Sequence, residues 1–143
     1  AGAGIAPDPA LVVQAFREGE TALVPSFTAA VDHLLALPDP PTVICCGNDE
    51  MAMRLYGLLR TRGLRVPEDI SVAGYDDYRV ISETLYPPLT TAELAYGAMG
   101  VAAAQMLLAL IAGRNTQQPT PVIVPGPVRW RSSVTDRRSI SAN

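Results

Sequence analysis

No lysine occurs among the 143 residues, so all eleven basic side chains are arginines. There is one histidine, His33, one tryptophan, Trp130, and two cysteines, Cys45 and Cys46. These scarcities exclude several chemistries. A receiver-type phosphorylation site holding Mg²⁺ on Asp76 and Asp77 would need a further carboxylate and a lysine, and the lysine does not exist. A serine nucleophile needs a histidine nearby, and His33 stands alone on the exposed side of a predicted helix. Adjacent cysteines inside a predicted buried strand point to opposite faces. They therefore form neither a disulfide with each other nor a metal cluster, and read as small core hydrophobes in a reducing compartment. The most apolar run, Val101 to Ala112, is too short to span a bilayer and carries Gln105. Ala1 to Ala6 has neither the basic start nor the apolar stretch of an export signal, so a cytoplasmic place and no membrane contact are expected. A formal charge of −3 and a pI near 5.0 do not describe a surface that grips nucleic acid by its phosphates.

What is present is a chain with 48% hydrophobic residues, enough for one domain with a core. Two stretches organise it. Val43-Ile44-Cys45-Cys46 and Ile70-Ser71-Val72-Ala73 are apolar runs that stop abruptly, the first at Gly47-Asn48-Asp49 and the second at Gly74-Tyr75-Asp76-Asp77. Between them Met51, Leu55, Leu58 and Leu59 recur at helical spacing up to Gly63. Continuous apolar strands separated by an amphipathic helix imply an α/β fold with a parallel sheet covered on both faces. Ligands bind such sheets at the carboxyl ends of the strands, where the two polar clusters fall.

In chain order, the Gly- and Pro-rich opening to Pro9 reads as a helix end and turn, and Leu11-Val12-Val13 as a short strand. Arg17 to Thr21 reads as a polar loop within a longer one reaching Pro25. Phe27, Ala30, Val31, Leu34 and Leu35 give a helix with Ser26 as a candidate N-cap, ending before Pro38. Asn48 is a favoured N-cap for the central helix, and Asp49 and Glu50 suit its positive end. Pro87-Pro88-Leu89-Thr90-Thr91 reads as an extended crossing segment at a domain edge. The helix from about Ala95 to Ala112 is apolar on almost every side and needs more cover than the visible strands supply. Val122 to Val124 and Val128 to Ser133 read as two short closing strands, Trp130 packing in the second. The segment 136–143 is expected to fray.

Asp76 is the strongest candidate for binding. A carboxylate ending a buried parallel strand needs partners: sugar hydroxyls pair well with one acidic acceptor, and the alternative is a loop-capping aspartate bonding backbone amides. Asp49 reads as a dipole partner and loop fastener, and Asp77, one residue on from Asp76, as structural. No acid, base or nucleophile constellation is present, so no enzymatic activity, cofactor or metal is expected.

The motifs Gly47-Asn48-Asp49 with Met51-Ala52, Gly63-Leu64-Arg65-Val66-Pro67-Glu68-Asp69-Ile70-Ser71-Val72-Ala73-Gly74-Tyr75-Asp76-Asp77, and Pro87-Pro88-Leu89-Thr90-Thr91 stand colinear over some fifty residues. Together they closely resemble the LacI/GalR family of bacterial transcription regulators, best from Pro41 to Thr91 and more loosely to Ser133. The resemblance implies the second, C-terminal lobe of an effector-binding domain of the type I periplasmic-binding-protein-like fold, a three-layer parallel-sheet lobe. Residues 1–143 would belong to that domain, with about 92–121 crossing toward a first lobe. It also implies a small-molecule effector, a sugar or nucleoside-like compound, a homodimer, and operator DNA bound only through a helix-turn-helix outside these residues. Asn48 and Asp76 match positions that bond ligand in relatives, Tyr96 an aromatic against the ligand, and Phe16 an aromatic at the pocket mouth. Met51 and Leu55 on the central helix, with Ile81, Leu85 and Tyr86, match regions that pair across the dimer. The alternative reading is a sugar-binding protein of a transport system, which shares the lobe fold.

Overall fold

The computed structural model describes residues 4, 6–14, 23–113 and 120–136, with backbone only for 23–25. Four strands form one sheet in the order β1 (Val43–Cys45), β2 (Ser71–Asp76), β3 (Thr90–Glu93) and β4 (Val128–Arg129). The first three run parallel, with Val43 beside Ser71 and Ala73 beside Thr90. β4 closes the sheet antiparallel, Thr91 lying opposite Arg129. The helices are α1 (Leu23–Leu35), α2 (Asp49–Thr61), α3 (Arg79–Ser82) and α4 (Tyr96–Ile111).

The core lies between α2 and one face of the sheet. Ala52, Leu55 and Leu59 recur at helical spacing on the inner side of α2 and are fully buried against Val72, Ile70 and Leu89. Val31 of α1 joins this cluster, and Arg62 Nε donates to Asp32 Oδ1 at 2.8 Å to tie α2 to α1. α2 begins where expected: Asn48, in extended conformation, accepts the Met51 amide on Oδ1 at 2.8 Å. It ends just ahead of Gly63, whose φ of +71° suits a residue without a Cβ.

Several expectations are corrected. Leu11 to Val13 form no strand: Pro9–Leu11 make a 3-10 turn, because Asp8 Oδ1 caps the Ala10 amide and the following proline presets a helical φ. α1 starts ahead of Ser26, with Pro25 in its first turn, where no amide donor is required. Thr90 and Thr91, read as part of a crossing segment, open an inner strand of the sheet. Tyr78 to Tyr86, irregular by its sequence, contains a helical turn, α3. Of the two closing strands only Val128–Arg129 pairs, Trp130 is 73% exposed, and Val122 to Val124 make no ladder. Cys45 is exposed and Cys46 half-buried, since β1 is an edge strand whose outer face, with Val43, is uncovered among the described residues. Burial pushes the Cys46 thiol up to about 12, with Cys45 and Asp49 adding to the rise.

α4 matches the expected helix closely, and none of its residues is buried. Val101, Leu107, Leu108 and Ile111 are each more than half exposed. The expected frayed tail lies outside the described residues after Asp136.

Candidate functional site

At the carboxyl end of the sheet a buried carboxylate fixes three elements. Asp49, in the first turn of α2, is fully buried. Its Oδ1 accepts the Thr91 hydroxyl of β3 at 2.6 Å, and its Oδ2 accepts the Tyr78 amide at 2.7 Å. A carboxylate out of water needs such donors, and these two join β3 and the turn after β2 to the helix. Gly74 makes room for it: a Cβ there would stand 2.2 Å from Asp49 Oδ1 and 2.8 Å from Leu89 Cδ2. The fastening role read for Asp49 is thus seen directly.

β2 ends in two carboxylates with positive φ, Asp76 at 119° and Asp77 at 53°. Non-glycine residues rarely hold such angles, and Asp at the second is the tolerated kind. The turn separates their fates. Asp77 Oδ1 receives Ser82 Oγ at 2.9 Å and Arg131 Nη2 at 2.8 Å, while Arg131 Nη1 donates to the Leu89 carbonyl at 2.8 Å. Burial works to raise the Asp77 carboxyl, but the hydrogen bonds from Arg131 and Ser82 and the charges of Arg131 and Arg129 outweigh it and hold it below the usual value. Asp76 has no hydrogen bond or ion pair to its side chain among the described residues, and burial, followed by the nearby charge of Asp49, raises it.

Asp76 lies in an open groove of about 1110 Å³ at this end of the sheet. The groove brings together three of the four residues picked out for ligand contact, Asn48, Asp76 and Tyr96. Asn48 spends its carbonyl oxygen on the helix cap and keeps its amide nitrogen without a partner among the described residues. Tyr96, at the start of α4, is 64% exposed. The fourth, Phe16, lies outside the described residues.

The groove also takes in side chains that the sequence reading passed over, notably Tyr78, Arg79, Glu93, Arg129 and Arg131. Arg131 falls inside the stretch read as a closing strand, and nothing in its local sequence signals a partner 54 residues away. Ser133 was missed similarly. Fully buried, its hydroxyl donates to the Val72 carbonyl at 2.6 Å and accepts the Thr90 amide at 2.7 Å, splicing β2 to β3.

Of the residues expected between two copies, Met51, Ile81 and Leu85 are half-buried and Tyr86 is 95% exposed. Leu55 is a correction: with no exposed surface it belongs to the core and cannot meet a second copy. Among the described residues no group of three or more His, Cys, Asp or Glu side chains could hold a metal, and no helix is long and apolar enough to cross a membrane.

The periplasmic binding protein-like domain family matches residues 3–134. The chain is 43% identical over 88 residues to the probable HTH-type transcriptional repressor ExuR of Bacillus subtilis, covering 62% of this chain and 26% of that protein. Among solved structures it resembles the transcriptional regulator CelR in complex with cellobiose, at 33% identity and a TM-score of 0.66, over 76% of this chain and 33% of that one. It also resembles the lac repressor dimer bound to operator and the anti-inducer ONPF, at 32% identity and a TM-score of 0.61, over 67% of this chain and 32% of that one. The chain thus spans about a quarter to a third of the length of these relatives.

Proposed function

Because the chain belongs to the periplasmic binding protein-like effector-binding domains of the LacI/GalR transcription regulators, we propose that it forms one wall of a sensor cleft for a small sugar-like effector. The observation that carries this reading is the unpartnered Asp76 carboxylate, set in the groove with the spare amide of Asn48 and the exposed ring of Tyr96. An acceptor, a donor and an apolar ring together match what a sugar presents, hydroxyl edges and a C–H face. The CelR structure, a complex with cellobiose, supports the same ligand class.

In this reading the chain is the second lobe of a two-lobe domain and performs no catalysis. A first lobe packed on α4 accounts for that helix, whose apolar sides need cover. Effector bound between the lobes favours one interlobe arrangement, and its differential affinity sets the shift in operator binding. Operator contact belongs to another segment of the full protein, since these residues carry net negative charge. The lac repressor dimer supports pairing of two copies, for which the exposed Tyr86, with Ile81 and Leu85, is the candidate face. Such a regulator works in the cytoplasm.

Asp76→Ala in the full-length protein tests the site. Effector response in a reporter or operator-release assay is expected to fall by at least tenfold while operator affinity without effector is kept. Unchanged effector affinity by calorimetry would remove Asp76 from the cleft.

A further inference from the structure

The groove contains more charge than its one free carboxylate suggests, and nearly all of it is already paired. Arg79 holds Glu83 in a two-pronged contact, Nε to Oε1 at 2.7 Å and Nη2 to Oε2 at 3.2 Å. Arg129 Nε donates to Glu93 Oε2 at 2.7 Å, so that β4 and β3 carry one closed pair across their ladder. Arg131 is held by Asp77 and the Leu89 carbonyl, with Glu83 Oε1 a further 3.6 Å from its Nη2. Glu50 is bonded to Arg54 at 2.7 Å. Among the described residues, every guanidinium lining the groove is thus matched to a carboxylate, and Asp76 alone of the lining carboxylates is left over.

From this pairing we infer that this wall selects a sugar without negative charge, neutral or amine-bearing, and rejects uronates and sugar phosphates of the same stereochemistry. The inference rests on the sugar-sensing reading above. An anionic substituent entering the groove finds, among the described residues that line it, no arginine without a carboxylate partner, and it meets Asp76, whose own charge burial and Asp49 already oppose. Binding it would require an arginine to be shared with, or drawn from, the carboxylate it already contacts, which offsets part of any gain from the anion. Neutral hydroxyls incur neither cost, and an ammonium gains the Asp76 charge. The discrimination is therefore repulsive as well as attractive, which is how sites separate ligands of one shape.

The test titrates the full-length regulator calorimetrically with two matched sets, galactose, galactosamine and galacturonate, then glucose, glucosamine and glucose 6-phosphate. In whichever set binds, the neutral or amino sugar is expected to bind at least about tenfold tighter than its anion, the scale of one unit charge in a partly hydrated cleft. Tightest binding by galacturonate or glucose 6-phosphate overturns the inference and leaves the sugar-sensing reading standing. Binding of neither set overturns both. A second variant isolates the cause: Glu93→Gln releases Arg129 and should raise affinity for the anion relative to its neutral partner by about tenfold. No relative gain in that variant rejects the paired arginines as the source of the discrimination.

Discussion

Gly74 and Asp49 depend on each other for space at the end of the sheet. The carboxylate fills the space a Cβ would take, at 2.2 Å. Neither neighbour can yield cheaply, because Asp49 is held by Thr91 and Tyr78 and Leu89 is fully buried. Gly74→Ala is expected to destabilise the protein by about 1–3 kcal/mol, the usual cost of overpacking, read as a lowered urea midpoint with unchanged slope. A variant as stable as the wild type would mean that Asp49 has another buried position open to it. At this scale the sequence was legible where one residue's chemistry is local. The cap at Asn48 and the fastening by Asp49 follow from their places at a helix start. Partners far apart in the chain, such as Arg131 with Asp77, were not legible, because an ion pair leaves no trace in either residue's neighbours.

Among the elements, α3 is the least self-sufficient. Four residues make one turn, which has no stability of its own. Its fully buried Ser82 is docked through Asp77, which Arg131 holds from the end of β4. Asp77 is therefore the joint of three elements, and its carboxyl lies below the ordinary 3.8. Ionisation is favoured more in the folded than in the unfolded chain, so its contribution is full above that ordinary value and fades as pH falls through the lowered one. The stability gap between wild type and Asp77→Asn, from urea titrations at pH 7, 4.5 and 3, is expected to hold across the first two and narrow at the third. A gap independent of pH would show that the charge of Asp77 contributes nothing to α3 docking. The strands β1 and β2 were readable from their apolar runs, whereas β3 was not. Pro87-Pro88 looks like a connector, yet it delivers Thr90 and Thr91 into the sheet, where Ser133 and Asp49 use their polar groups. Inner strands with buried threonines lack the hydrophobic run that marks a parallel strand.

For the whole molecule the open question of cover falls on α4, whose apolar composition was legible but whose covering partner was not, since periodicity shows that a face is buried and never by what. Under the two-lobe reading, Leu108→Glu together with Ile111→Glu should lower the melting temperature of the full-length regulator by several degrees. In the isolated 143 residues, where these side chains are 65% and 74% exposed, it should change little. Equal indifference in both proteins would show that no lobe covers the helix.

The splice at Ser133 bears on the order in which the chain can be completed during synthesis. Its hydroxyl serves Val72, 61 residues earlier, and Thr90, 43 residues earlier, and its carbonyl accepts the Val72 amide at 2.9 Å. Until residues 131–133 have left the ribosome, the start of β2 and the start of β3 carry backbone groups with no partner, and the groove lacks Arg131. Translation thus delivers the two central strands long before the peptide that joins them, and a nascent chain stalled at α4 holds an unfinished sheet.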